Sequence, residues 1–295
     1  MEDRLPRERA KEKSCDLSIQ QTLSYSSLFK YPMSFYQLSM FLISRKEYDF
    51  QFFIKSLRRL VKKKHIKAIR AKFFLSGIRP VSWELRDKYS EELVKDSYRY
   101  LTLLKAVPWI KLVAITGSVA ANNAVKDDDI DVFIITDKSR LWLSRFFVYL
   151  ILKNINKYAQ GGEGNRKFCC NLMVDDSATR WPKNKQNIFV AREILGMVPI
   201  FDKDNEYFKF IHENQWALDF YKQYKINFPN KFNKSKRNHS KFVNMLEKAA
   251  KSMQNKHMKG KITTEIVNKD FIHFNKNDHS ESIITEYNNL IKTLN

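Results

Sequence analysis

Cysteine, glycine and proline are all scarce in this chain of 295 residues, with three, seven and seven copies. Cys15, Cys169 and Cys170 cannot supply a disulfide framework, since sequence neighbours rarely bridge and no pair has zinc-like spacing. The six histidines (His65, His212, His239, His257, His273 and His279) also lack metal spacing and read as surface residues. A reducing compartment is therefore expected. No signal peptide is evident, because Glu2, Asp3, Arg4, Arg7, Glu8 and Arg9 occupy the region where an apolar core would stand. The most apolar run, 141–152, is too short to cross a bilayer and contains Arg145. These absences predict a soluble, cytoplasmic protein with no membrane partner.

Acidic residues are unevenly missing. The formal charge is +21, and residues 1–110 hold +11 of it, with 23 Lys/Arg against 12 Asp/Glu. Residues 111–229 carry +3 and residues 230–295 carry +7. The central region is thus nearly neutral and its flanks are basic. Clustered basic charge attracts polyanions and makes association salt-dependent. A lysine- and asparagine-rich background would inflate charge in the same direction. Hydrophobic content of 43% and aromatic content of 14% fit a globular chain long enough for two or three domains.

Periodicity divides the chain. Residues 1–16 read as a disordered charged leader. Residues 17–80 hold three expected helices, at 17–29, 35–43 and from Asp49, a capping residue, to about 63, followed by two short strands at 65–70 and 72–77. Three helices followed by a hairpin resemble a winged helix. From Lys55 to Lys72 this module has no acid, and Arg58, Arg59, Lys62, Lys63 and Lys64 are its candidate contacts to nucleic acid, DNA or tRNA. The plain alternative is a solvated basic face. Residues 81–110 read as a linker helix capped by Ser82 and stopped by Pro108.

The most informative pattern lies beyond it. The apolar run Leu112-Val113-Ala114-Ile115 leads into Thr116-Gly117-Ser118, and ten residues separate Ser118 from Asp129-Ile130-Asp131, which opens the apolar run Val132-Phe133-Ile134-Ile135. This predicts strand, Gly-Ser turn, short helix, acidic turn and second strand. Alternation along a strand puts Asp129 and Asp131 on one face and Ile130 and Val132 on the other. Two neighbouring carboxylates repel unless a cation lies between them, and hard oxygen ligands of this kind suit Mg²⁺. Glycine lets backbone N–H groups approach a phosphate, and a helix beginning there turns its positive end to the anion.

With these residues the chain resembles the DNA polymerase β-like nucleotidyltransferase superfamily. The resemblance is specific over 112–136 and extends to about 201. It implies that Gly117 and Ser118 hold the β- and γ-phosphates of an NTP such as ATP. It further implies that Asp129 and Asp131 bind two Mg²⁺ ions, and that a nucleoside monophosphate passes to a hydroxyl acceptor with release of pyrophosphate. The superfamily's third strand usually supplies a third carboxylate. Here 168–175 is that strand, and Asn171 stands at the aligned position, a neutral and poor base. Asp175, Asp176 and Glu193 are the substitutes at hand. For Glu193 the simpler reading is an ion pair with Arg192 or a solvated helix face.

Downstream of the second strand, Ser139 is expected to cap a helix over 140–158. The glycine-rich loop 160–165 precedes a strand and so is not a phosphate fingerprint. Residues 186–226 read as helical and aromatic, with further helices at 242–253 and 283–294. The expected fold class is α/β (α+β). A nucleotidyltransferase palm at 111–200, with a small mixed sheet flanked by helices, follows the winged-helix-like domain and precedes a helical, partly disordered C-terminal region at 201–295. Two rival functions remain open: a nucleic-acid-binding regulatory protein with an inactive, nucleotide-sensing palm, and a toxin–antitoxin component.

Overall fold

A computed structural model describes residues 4–159, 165–232, 240–258, 266–267, 270–273 and 280–294. Helix α1 (Arg4–Ser27) takes in most of the expected disordered leader. The physical reason is long-range. Glu12 and Asp16 lie 3.2 and 2.8 Å from the Arg59 guanidinium, and Cys15 and Ile19 are fully buried. Contacts with a partner more than forty residues away leave no local signature.

Strand β1 (Met33–Ser34) runs into α2 (Phe35–Met40), which Ser34 and Gln37 close with a reciprocal capping box. Helix α3 (Phe50–Lys62) starts where expected, its first N–H groups donating to the Asp49 carboxylate at 2.9 and 3.2 Å. Strands β2 (Ile66–Ile69) and β3 (Lys72–Leu75) form an antiparallel hairpin, and β1 adds to its far side. Arg70 and Ala71 at the hairpin tip both have positive φ, 47° and 60°, which matches the right-handed twist of the flanking strands. Helix α4 (Trp83–Leu101) follows, but Ser82 makes no side-chain cap, contrary to expectation.

The second sheet begins with β4 (Ile110–Ile115), the one-turn helix α5 (Gly117–Ala120) and β5 (Ile130–Thr136). Helix α6 (Leu141–Asn154) and β6 (Phe168–Asp175) come next. The expected Ser139 cap is absent. Instead Trp142 and Leu143 at the start of α6 donate their N–H groups to the Glu247 carboxylate, both at 2.9 Å, more than a hundred residues later in the chain. Helix α7 (Ile188–Gly196), β7 (Val198–Asp202), α8 (Glu206–Glu213) and α9 (Lys241–Met258) lead to β8 (Ile266–Val267), β9 (Phe271–His273) and α10 (Ser280–Lys292).

The strand order is β7-β4-β5-β6-β9-β8. The β5–β6 pair is parallel and the rest are antiparallel, giving the expected mixed sheet. Two expectations fail here. Residues 186–226 are not wholly helical, because β7 pairs with β4. Nor is the region beyond 200 only helical, because β9 pairs with β6. The strands concerned are five, two and three residues long, too short to show a period, and Pro199 is tolerated because β7 is an edge.

Alternation sorts β5 into two cores. Ile130, Val132 and Ile134 pack with Val113, Leu141 and Trp142 on one face. Phe133 and Ile135 belong to the other, together with Leu112, Ala114, Ile19, Leu23, Leu38 and Phe53. That second core is continuous from α1 to α10, so the N-terminal module and the palm bury one apolar interior between them. Among the described residues no helix is long and apolar enough to cross a membrane.

Candidate active site

The Gly-Ser turn and the carboxylates meet where β4 ends and β5 begins. The Thr116 N–H donates to the Asp131 carbonyl at 2.9 Å, which locks the two strand ends together. Gly117 then bends the chain at φ +67°. A Cβ added there would overlap Oδ2 of Asp131 and lie 3.3 Å from its Cγ. Glycine is thus required twice, by its backbone angle and by the carboxylate packed against it. Gly117→Ala is expected to lower stability by about 1–2 kcal/mol through the left-handed backbone alone. Moving the Asp131 side chain is expected to cost turnover about 10²-fold, the scale of a misplaced reacting group. A thermal melt and a pyrophosphate assay read the two effects separately.

Asp129 and Asp131 are both half-exposed, with the buried Ile130 between them facing away. The Lys167 N–H donates to Asp129 Oδ1 at 3.3 Å. Cys169 pairs with Asp131 across the parallel strands. Burial pushes the Cys169 thiol up to about 12, with the charges of Asp131 and Asp129 adding to the shift, so both carboxylates lie near one thiol. Ser118 Oγ donates to Asp128 Oδ2 at 2.7 Å. Asp128 was missed from sequence; the signal was its place in the acidic run 127–129.

Glu193 sits on the far side of the same turn. Its Oε2 accepts the Gly117 N–H at 3.1 Å. Of the two plain readings of Glu193, an ion pair with Arg192 or a solvated helix face, the ion pair is not formed: the Arg192 guanidinium lies 3.4 Å above the Phe41 ring. Burial raises the Glu193 pKa, while the Gly117 N–H and the charge of Arg192 pull it down more weakly. The native carboxyl therefore holds its proton to higher pH than the unfolded one. Its contribution to stability is full at low pH and is lost as pH rises from the ordinary glutamate range through the raised value. Glu193→Gln is expected to flatten that limb of the stability curve. It should also tighten nucleotide binding by about 1 kcal/mol, a factor of about 5, by removing an anion from the N–H group that a phosphate would use. Thermal melts between pH 5 and pH 9 and calorimetric titration with an NTP measure these changes.

The other candidate acids are elsewhere. Asp175 accepts from the Ser139 N–H at 2.9 Å and from the N–H and hydroxyl of Ser177 at 3.0 and 2.6 Å. It faces Thr136, five residues beyond Asp131 on β5 and so about 16 Å along the strand. Its oxygens are held in this turn, and it does not join the Asp129–Asp131 pair. Asp176 lies 3.1 Å from Lys111, whose ammonium is almost fully buried and also meets Glu206. The Asn171 backbone lies in β6, where the register shifts between the Asp131–Cys169 and Phe133–Leu172 pairs, and its side chain falls outside the described residues. Arg58, Lys62, Lys63 and Lys64 lie on α3 and the turn after it, all exposed, while Arg59 is held by Glu12 and Asp16. Among the described residues no group of three His, Cys, Asp or Glu side chains is gathered for a metal. The Asp129–Asp131 pair is a partial set of hard oxygen donors, of the kind that ligand phosphates and water complete.

Gly117, Ser118, Asp131 and Glu193 open onto a cleft of about 1050 Å³. Its walls draw on distant parts of the chain, among them Tyr25 of α1 and Phe29 in the turn after it, Arg180 and Trp181 after β6, and Ile283 and Glu286 of α10. A mixed sheet with a Gly-Ser bend closing one strand, paired aspartates opening its antiparallel neighbour and a large cleft over both defines a polymerase β-like palm. The family model described as "Nucleotidyltransferase domain" matches residues 100–284, and the chain belongs to this family. The match runs from α4 into α10 and takes in strands β7, β8 and β9. No curated protein matches the sequence. Domains of this family act on nucleotides and usually work with divalent metal ions.

Proposed function

We propose that the protein is a Mg²⁺-dependent nucleotidyltransferase that moves a nucleoside monophosphate from an NTP to a hydroxyl acceptor. The observation that carries this reading is the packing of Gly117 against the Asp131 carboxylate at the mouth of a single cleft. Asp129 and Asp131 would hold the metal, and their oxygen-only donor set fits Mg²⁺. When bound, the ion supplies positive charge that offsets the charge developing on the transferring phosphoryl group. The N–H groups of Gly117 and Ser118 bind the phosphates, Glu193 yielding the Gly117 N–H to them. Arg180, a cleft-wall cation without an ion pair among the described residues, adds charge for the triphosphate. The acceptor hydroxyl releases its proton to water as its oxygen attacks the α-phosphorus, the bond to the β-phosphate oxygen breaks, and pyrophosphate leaves.

The order of helices and strands from α1 to β3 supports reading the N-terminal module as winged-helix-like. One observation favours a second reading, a palm that senses nucleotide without turning it over: no third carboxylate joins Asp129 and Asp131 among the described residues. A single experiment separates the two. Purified protein is incubated with Mg²⁺, each NTP and a cell lysate as acceptor source, while NTP binding and pyrophosphate release are both followed. Binding with release supports transfer. Binding without release supports sensing. Absence of NTP binding overturns the assignment of the site.

A further inference from the structure

Beyond the palm, we propose that the outer face of α3 and the turn after it form a docking ridge for the sugar–phosphate backbone of a nucleic acid. No acidic residue occurs between Asp49 and Glu84. Within that span the structure separates engaged cations from free ones. Arg59 is held by Glu12 and Asp16, Arg70 by Glu84 at 2.8 Å, and Lys72 by Asp87 at 3.0 Å. Lys55, Arg58, Lys62, Lys63, Lys64 and Lys67 are exposed and have no ion pair among the described residues.

Their placement is ordered. Phe53, Leu57 and Leu60 turn one face of α3 into the core. Lys55, Arg58 and Lys62 therefore stand in a stripe on the opposite face, at intervals of three and four residues, or roughly 4.5 and 6 Å along the axis. Lys63 and Lys64 continue the stripe past the end of the helix, and Lys67 stands on the outward side of β2, which buries only Ile66. A line of uncompensated cations at this spacing matches a chain of phosphates, and phosphate contacts carry no sequence information, so binding is expected to be indifferent to sequence. A bilayer is the poorer partner. The exposed apolar side chains here, Phe50 and Ile69, sit at opposite ends of the ridge, one at the helix start and one near the hairpin tip, and form no continuous patch to insert.

The test uses the full chain, short fluorescent duplexes of RNA and of DNA, and vesicles containing phosphatidylglycerol. Wild type is expected to bind a duplex at low salt with an affinity that falls steeply as salt rises. The triple variant K62Q/K63Q/K64Q and the separate double variant K55Q/R58Q are each expected to lose about tenfold or more, with a salt slope reduced by about two to three units. K248Q/K256Q, on the exposed side of α9, is expected to bind as wild type. Failure of wild type to bind either duplex, an equal loss in the α9 variant, or tighter binding to vesicles than to duplex would each overturn the ridge. The outcome is independent of the palm assignment. Ridge variants should keep Mg²⁺–NTP binding, and Asp131→Asn should keep duplex binding.

Discussion

Asp129→Asn and Asp131→Asn should each lower pyrophosphate release by at least about 10³-fold, the scale seen when a charged group supporting phosphoryl transfer is lost. Folding should be spared. Both side chains are half-exposed, Asp131 lining the cleft, and asparagine keeps their shape. In the absence of a cation the two carboxylates repel, so neutralising either one should leave the melting temperature unchanged or raise it by a few degrees, as expected where a site is tuned for function at the expense of stability. The combination is diagnostic: stability held or improved, Mg²⁺-dependent NTP binding weakened, turnover gone. Activity within tenfold of wild type in both variants would remove these residues from the chemistry. A collapse in stability would make them structural instead.

Much of that site was legible because its signals are local. Two apolar runs, a glycine that must bend and an alternating Asp-Ile-Asp fix two strands and the face on which the carboxylates stand, and 168–175 read as a strand with the bounds observed for β6. The Asp49 cap was legible for the same reason, since its partners are Gln51 and Phe52. What escaped was decided at a distance. Glu247 caps α6 from α9, a role that no short motif encodes. Glu193 could be read only against its neighbour Arg192, whereas in the fold it faces Gly117, 76 residues earlier. Asp175 was a plausible acid by position, but the backbone at Ser139 and Ser177 claims its oxygens. The edge strands β7, β8 and β9 exist because longer neighbours template them, and isolated segments of two to five residues carry no period to detect.

The division of the chain at residue 80 leads to the largest expected effect on folding. A fragment spanning 81–295 should fail to fold cooperatively and should not bind NTP, even though it contains the whole family match. The N-terminal module is not a detachable neighbour. Phe41 packs edge-on against Tyr221 at 5.9 Å and contacts Tyr224 at 5.4 Å. The Ser44 N–H donates to the Phe220 carbonyl at 2.9 Å, and Gln223 exchanges hydrogen bonds with both backbone groups of Tyr48. Tyr25 meets Tyr287 of α10 at 5.9 Å and lines the cleft beside Phe29. Each large apolar side chain fully buried in such a core contributes about 1.5–3 kcal/mol. Uncovering the partners of several at once exceeds the roughly 5–15 kcal/mol by which a domain is stable. A milder change probes the same core: Leu23→Ala, at a fully buried position in α1, should cost about 2–5 kcal/mol. Soluble yield and a calorimetric melt of the fragment decide the matter, and a sharp transition with retained NTP binding would show that the palm closes its core and cleft without the module.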